Sequence, residues 1–311
     1  MKKMLQDFLV VDADARNEMK NDLMIAVQKK ETAEEVVAFF ENYLINVRQD
    51  IGESGFYRTV SDSELLSEML EVLYECLNTE INVESIIPEV SSFLCIDKRE
   101  TDKTKGELYL QYRVTAFLDE VIRMGESLPK EVIDRILASE RYYSDKQTEE
   151  FVCSIYWRLA ERGVDISCKI SSLITRLHNR ETSVLANNAL SALWAAIKGG
   201  YFDSVIPNSN KTYRVNLWRL VTTCVGILTS KDDEVLRLGS VGCLIETART
   251  YPETKSLILE CMEKWGIKEP KRPRTDVNRD VLVLYSLCKD HPGTTCLPER
   301  YQITKKGIMI Q

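Results

Sequence analysis

Residues 181–199 read ETSVLANNALSALWAAIKG, and their periodicity is the clearest structural signal in the chain. The side chains of Asn187, Ser191 and Lys198 share one side of this stretch. The apolar residues recur on another side at intervals of three and four, and they are Ala186, Ala189, Leu190, Leu193 and Ile197. That period is typical of an amphipathic α-helix that packs one face against a core. The sequence therefore predicts a helix over 181–198.

The same amphipathic period recurs along most of the chain. Capping boxes at 32–35, 61–64 and 144–147 predict the first turns of three helices, because their side chains satisfy free backbone N–H groups. Gly52 and Gly163 are predicted to end two of these helices. Further helices are predicted over 14–29, 83–96, 105–124, 166–178, 213–229, 232–249, 254–265 and 276–288, and in a stretch that begins at Pro129.

Glycine and proline are both scarce, with 13 Gly and 8 Pro in 311 residues. Few residues of these types mean few tight turns, which favours helices over many short strands. The links between the predicted helices are short, so neighbouring helices are expected to run antiparallel. The sequence therefore predicts an all-α protein.

Three stretches resemble repeats of the HEAT and armadillo families. Residues 86–94 (IIPEVSSFL) resemble the start of such a repeat, and residues 181–199 resemble its inner helix. Residues 230–244, in which Gly239 and Gly242 follow an acidic turn, resemble the turn and the small-residue helix of both families. The resemblance implies a right-handed α-α superhelix, that is, a solenoid of antiparallel helix pairs.

The end of the helical period sets the predicted domain boundary. Residues 1–290 are predicted to form a single helical-repeat domain. Residues 291–311 contain two prolines and two glycines and have no helical period, so we predict an irregular C-terminal tail. Within this tail, 302–304 and 307–310 are either short strands or extended chain.

Composition and charge disfavour several kinds of protein. The formal charge of −7, from 41 Lys and Arg against 48 Asp and Glu, argues against a surface that mainly wraps nucleic acid. Two histidines and nine cysteines without a Cys-x-x-Cys pair leave little for a metal site, so no metal or cofactor is predicted. The cysteines are predicted to be free thiols in a reducing compartment, the cytoplasm or also the nucleus. The longest apolar runs are too short for a membrane span.

No catalytic signature is present in the sequence. It lacks a Gly-rich phosphate loop, H-E-x-x-H, G-x-S-x-G and the kinase motifs, so we predict that the protein is not an enzyme. Two classes of function stay open. The first is an adaptor or scaffold whose surface binds a basic or amphipathic protein segment. The second, less favoured because of the negative charge, is a nucleic-acid-associated protein that uses a basic linker and a helix edge.

The predicted contact surface is the groove lined by the inner helices 181–198 and 232–249. Trp194 lies between the apolar and polar faces of its helix, which suits an aromatic anchor with a wet edge. Asn187, Lys198 and Arg237 would surround it with polar and cationic groups.

The resemblance to armadillo repeats has one informative exception. Armadillo repeats that hold extended peptides carry an inner-helix asparagine, and Ala195 stands at the matching position. The resemblance therefore implies the fold without an importin-like grip on the peptide backbone.

The other three tryptophans lie on different predicted helices. Trp157 points to nearly the opposite side of its helix from Phe151 and Ile155, so the helix is apolar on two faces. Such a helix is either sandwiched between neighbours or exposes a binding patch, and the sequence leaves both open. Trp218 and Trp265 are predicted to be core residues.

A basic, proline-broken linker spans 266–275. Its cationic residues are Lys268, Lys271, Arg272 and Arg274. Three roles stay open for them: a solvated connector, a nuclear-import signal and a contact for an acidic partner.

Overall fold

The structure is a computed structural model, in which the described residues are 1–47, 62–79, 81–94, 105–139, 146–202, 210–230 and 234–289, with the backbone of 301–304 and 307–310. The chain divides into two compact units, Met1–Ile155 and Tyr156–Gln311. The predicted single domain over 1–290 stays a prediction.

The first unit is built from helices in two layers. Its helices are α1 (Lys2–Val10), α2 (Ala13–Ala26), α3 (Lys30–Val47), α4 (Ser63–Leu77), α5 (Ile87–Ser91), α6 (Lys105–Arg123) and α7 (Lys130–Ala138), and α8 (Lys146–Glu161) begins in it. Contacts join α1, α3, α5 and α7 in one layer and α2, α4 and α6 in the other. Phe40, Leu73 and Phe117 are fully buried in this unit.

The second unit repeats the two-layer pattern. After the end of α8 it contains α9 (Ile170–Asn179), α10 (Ser183–Lys198), α11 (Asn210–Thr229), α12 (Glu234–Thr250), α13 (Lys255–Lys264) and α14 (Asp276–Lys289). Helices α10, α12 and α14 follow one another in one layer, and α9, α11 and α13 do so in the other. Each of the helices α9 to α14 thus packs against at least one neighbour in the chain and against the helix or helices two places away, which is the arrangement of an α-solenoid. The all-α solenoid prediction is confirmed.

Local sequence signals fix both ends of α10. Its N-cap is Thr182, whose Oγ1 accepts a hydrogen bond from the backbone N–H of Leu185 at 3.0 Å. At the other end Gly200 adopts φ +72°, and the N–H of Tyr201 donates to the carbonyl of Ala196 at 3.0 Å. This is a Schellman-type end. Gly163 ends α8 in the same way with φ +85°, as predicted.

Several predicted helix boundaries need correction. Helix α1 was not predicted at all. Helix α3 begins at Lys30, before the predicted cap at Thr32, because the N–H of Ala33 already donates to the carbonyl of Lys29. Helix α5 covers only Ile87–Ser91 instead of 83–96, and Pro88 lies in its first turn. The predicted cap residues Ser61 and Ser144 and the predicted stop Gly52 lie outside the described residues.

The two tryptophans predicted to be core residues differ in burial. Trp218, on α11, is 1% exposed, so its prediction is confirmed. Trp265 is only half-buried, so its prediction is wrong. The reason is its place at the C-cap of α13, where the ring lies over Gly226 of α11 and one edge stays at the surface.

The C-terminal segment contains a short β-hairpin. Strand β1 (Tyr301–Thr304) pairs antiparallel with β2 (Gly307–Ile310), and Tyr301 is opposite Ile310. The strand β2 lies beside α11. Of the two alternatives that the sequence left for these segments, the structure has the strands.

Thiol reactivity is expected to single out one described cysteine. None of the seven described cysteines forms a disulfide; Cys168 is exposed and the others are buried. Burial raises the pKa of Cys76 and Cys261 to about 12, which removes the reactive thiolate at neutral pH. Brief alkylation of the native protein, mapped by peptide mass spectrometry, should therefore modify Cys168 before the other six described cysteines. Equal labelling of Cys76 or Cys261 would contradict the packing.

Candidate functional site

A cleft of about 770 Å³ lies in the second unit, between the C-terminal part of α8 and the α10 helix. It is lined by ten residues from these helices and the turns that follow them: Trp157, Ala160, Glu161, Gly163, Ser191, Trp194, Ala195, Lys198, Gly199 and Tyr201. Clefts of roughly 300–1,000 Å³ with aromatic walls and a few polar groups are the usual form of a binding site. We therefore take this cleft as the candidate functional site.

The α8 wall presents an indole and a carboxylate. Trp157, Ala160 and Glu161 are spaced by three and four residues, so they share one side of the helix. Tyr156 and Leu159 are buried on the other side. Trp157 is half-buried and lines the cleft, and its contact with a partner stays a prediction. The guanidinium carbon of Arg158 lies 5.3 Å from the centre of its ring.

The α10 wall presents the second indole. Ser191, Trp194, Ala195 and Lys198 again follow helical spacing, and Trp194 is half-buried. The Nζ of Lys198 lies 5.2 Å from the centre of the Trp194 ring, a cation–π distance. Ala195, at the position where the resemblance placed an asparagine, contributes only a methyl group to the cleft. Its small side chain takes up little of the volume of the cleft.

The end of the cleft is formed where the two helices stop. The ring of Tyr201 packs directly on Gly199, where a Cβ atom would clash with it. Its hydroxyl approaches Gly163, the left-handed residue at the end of α8. Burial raises the pKa of Tyr201, and the nearby charge of Asp165 acts in the same direction. The hydroxyl is therefore protonated at neutral pH and acts as a neutral polar group.

Trp194 is also held from behind by α12. An added Cβ at Gly242 would lie 2.6 Å from Cη2 of the Trp194 ring, so the indole rests against the backbone of that helix. The indole Nε1 is buried and has no hydrogen-bond partner among the described residues. Gly239, one turn earlier on α12, makes the same close approach to Leu190. The glycines that the sequence marked as a small-residue helix thus allow close packing of α10 on α12.

Gly242→Ala is expected to destabilise the protein by about 1–3 kcal/mol, because the new methyl group overlaps a rigid ring. This loss outweighs the roughly 1 kcal/mol that alanine adds over glycine inside a helix. Gly226→Ala is the matched control, because its Cβ would lie 3.4 Å from Trp265, an ordinary contact. The control should be neutral or stabilising. Urea unfolding measures the stability of both variants. A Gly242→Ala protein as stable as the control would contradict the contact between Gly242 and the Trp194 ring.

The cleft carries one charge of each sign. Glu161 and Lys198 are both exposed, at the last residues of α8 and α10. A lysine near a helix C-terminus is favourable with the helix dipole, whereas a glutamate there is unfavourable. Among the described residues Glu161 has no ion-pair partner. The carboxylate is therefore open to a cation from outside the chain.

The structure brings together three of the five predicted contact residues, namely Trp157, Trp194 and Lys198. The other two, Asn187 on α10 and Arg237 on α12, are half-buried and do not line the cleft. Their role in partner binding stays a prediction.

Sequence reasoning missed two chemically important residues of the cleft, Glu161 and Tyr201. A glutamate two residues before the glycine stop at Gly163 was the available signal for Glu161, since a negative charge near a helix C-terminus is electrostatically unfavourable. Tyr201 had no such signal, because its position depends on how the two helix ends meet.

The basic linker is exposed at every cationic residue, Lys268, Lys271, Arg272 and Arg274. It joins α13 to α14 and contributes no side chain to the cleft. Exposure is compatible with all three roles that the sequence left open. Those roles stay predictions.

The described ranges contain neither a metal-binding cluster nor a membrane-spanning helix. No cluster of three or more His, Cys, Asp or Glu side chains there is arranged to hold a metal ion. In the same part of the chain, no helix has the length and apolar character needed to cross a membrane.

Known proteins resemble this chain in structure but not in sequence. No protein-family model matches the sequence, and no curated protein matches it. Among solved structures, the chain is similar to a designed armadillo repeat protein, YIII(Dq)4CqI, with 11% sequence identity and a TM-score of 0.40. That match covers 92% of this chain and 98% of the designed protein. The helix packing within each unit, and not this similarity, defines the fold.

Proposed function

We propose that this chain is a non-enzymatic adaptor or scaffold that binds a protein segment in the cleft between α8 and α10. The observation that carries the proposal is the pair of half-buried indoles, Trp157 and Trp194, in one cleft. Tryptophan is strongly enriched among residues that dominate binding energy at interfaces. The two indoles are exposed in part, so the rest of the unit leaves some of their apolar area uncovered. A partner can bury this area.

The shape of the cleft favours an inserted side chain. The lining also includes four small residues, Ala160, Gly163, Ala195 and Gly199, which take up little of the volume of the cleft. A side chain of a partner segment can therefore lie against the rings, while the segment backbone stays near the surface. The hydroxyl of Ser191, which also lines the cleft, is available to a backbone group of the segment.

The charges indicate the kind of segment. The unpaired carboxylate of Glu161 at a helix C-terminus would be stabilised by a lysine or arginine of the partner. The indoles favour an apolar or aromatic side chain next to it. A basic or amphipathic segment satisfies both requirements, in a chain whose formal charge is −7.

Selection of displayed random peptides on the purified protein tests the proposal. Each enriched peptide is synthesised with a fluorescent label, and its affinity is measured by anisotropy against the wild type and against Trp157→Ala, Trp194→Ala and Glu161→Gln. We expect peptides that combine an apolar or aromatic residue with a basic residue, and that lose affinity roughly tenfold or more in each tryptophan variant. Glu161→Gln should weaken mainly the peptides with a basic residue.

The matched control is Trp265→Ala, since Trp265 is half-buried in the same unit but lies away from the cleft. Affinity should change less than about twofold in this variant. Peptides that bind all four variants as well as the wild type would contradict the proposal. So would the absence of any enriched peptide from repeated selections.

A further inference from the structure

The adjacent helices α9 and α11 contain no acidic residue. They have 10 and 20 residues, and an average of 48 Asp and Glu in 311 would place about five in thirty residues. The two helices contact each other in one layer of the second unit. Their cationic residues are Arg176, Lys211, Arg214 and Arg219. In a chain with a formal charge of −7, this pair of helices is a local exception.

Among the described residues, the guanidinium of Arg219 donates hydrogen bonds only to hydroxyl groups, at the junction of the two helices. Its Nη1 donates to Oγ of Ser171 and its Nη2 donates to Oγ1 of Thr175, each at 2.8 Å. Ser171 and Thr175 lie one turn apart on α9 and are exposed, so this site opens to solvent. The two bonds fix the plane of the guanidinium against α9 without neutralising its charge.

Hydrogen-bonding capacity remains at this site. Thr175 uses its own proton to donate to the carbonyl of Ser171 at 3.0 Å. The hydroxyl of Ser171 accepts a hydrogen bond from Arg219, and its own proton is donated to no acceptor within the described residues. A guanidinium has five N–H groups, and two of those of Arg219 are used. The remaining N–H groups and the Ser171 O–H form a set of donors for one external acceptor.

The charge of Arg219 has no counter-ion in the described part of the chain. Arg113 of the first unit shows the contrast, since its guanidinium lies 2.5 Å from the carboxylate of Glu71. Burial lowers the pKa of Arg219, and no carboxylate offsets that effect. Partial burial of an unneutralised cation is unfavourable, and an anionic partner would relieve it.

We propose that the α9–α11 face is a docking surface for an acidic protein segment, and that Arg219, with Ser171, receives a carboxylate or phosphate group of that segment. The planar, pre-positioned guanidinium matches the two oxygens of either group. A single fixed arginine favours a discrete acidic side chain over the repeated phosphates of a nucleic acid, which need a longer cationic track. This surface is separate from the cleft between α8 and α10, and its occupant has the opposite charge.

The experiment uses the full chain and three fluorescein-labelled probes at low ionic strength. The probes are an eight-residue glutamate-rich peptide, a Gly/Ser peptide with one phosphoserine, and a ten-nucleotide oligothymidine. We expect one or both peptides to bind, with an affinity that falls as salt is added. The peptide that binds more tightly identifies carboxylate or phosphate as the group received. Arg219→Gln should weaken that peptide roughly tenfold.

The control is Arg272→Gln, which removes the same charge from the exposed linker and should change affinity less than about twofold. Equal weakening by both variants would overturn the proposal, because binding would then follow net charge alone. Tighter binding of oligothymidine with the same dependence on Arg219 would overturn it in favour of nucleic acid. Failure of both peptides to bind would also overturn it.

Ser171→Asp tests the same site without removing the arginine. An aspartate at this position would place a carboxylate beside Arg219 and occupy its donors. We expect the variant to melt at the same temperature as the wild type or higher, and to lose peptide binding as fully as Arg219→Gln does. Undiminished peptide binding in a folded Ser171→Asp protein would overturn the assignment of Arg219.

Discussion

Trp194→Ala is expected to weaken a peptide selected on the cleft about thirtyfold, which corresponds to about 2 kcal/mol. The indole forms one wall of the cleft, and no neighbouring side chain can replace its apolar area, since Ala195 and Ser191 beside it are small. Because Trp194 is only half-buried, its loss should cost about 1–2 kcal/mol of unfolding free energy, less than the 3–5 kcal/mol typical of a fully buried tryptophan. Anisotropy titration and urea unfolding measure the two quantities on the same preparation.

Two controls separate binding from packing at Trp194. Trp265→Ala should lose a similar amount of stability and keep its affinity for the peptide. Trp194→Phe keeps a ring against Gly242 and should recover part of the affinity. Unchanged affinity in Trp194→Ala would show that the ring only fills space between α10 and α12. A loss of affinity in Trp265→Ala as large as in Trp194→Ala would show that the affinity falls because the folded protein is less stable, and not because a contact with the peptide is lost.

Trp218→Ala is expected to lower the free energy of unfolding by about 3–5 kcal/mol. Trp218 is 1% exposed and is among the largest fully buried side chains of the described residues. Removing its side chain leaves a cavity in the packing around α11, a helix that contacts α9, α12 and α13. A loss of this size is a large part of the roughly 5–15 kcal/mol that stabilises an ordinary domain.

The measurement should follow the second unit specifically, because a chain with two compact units need not unfold in one step. Cys224 lies on α11 and is buried, so its alkylation rate in urea reports the opening of this unit. Trp157→Ala is the matched control, and its half-buried ring should cost about 1 kcal/mol or less. Equal effects of Trp157→Ala and Trp218→Ala would contradict the described packing.

Most helices could be predicted from the sequence because their signals are local. The period of three and four residues and the glycine stop at Gly163 each act within one or two turns of backbone. The errors arose where local signals compete. The capping box at Thr32 predicted a helix start two residues after the true start at Lys30. Helix α5 has only five residues, too few to show a helical period. Helix α1 has only Leu5 and Phe8 buried, which is too sparse a pattern to stand out.

The sequence by itself determined that Trp194 lies at the edge of the apolar face of its helix, and that Trp157 lies nearly opposite the main apolar face of its own helix. It also determined that α9 and α11 lack acidic residues. Only the tertiary structure decided that the two indoles share one cleft with Glu161 and Tyr201 and that Trp194 rests on Gly242. It also decided that, among the described residues, only hydroxyl groups accept hydrogen bonds from the guanidinium of Arg219. The physical reason is that the helical period fixes which side of a helix a residue occupies, whereas the rotation and offset of one helix against the next depend on the packing of all their side chains.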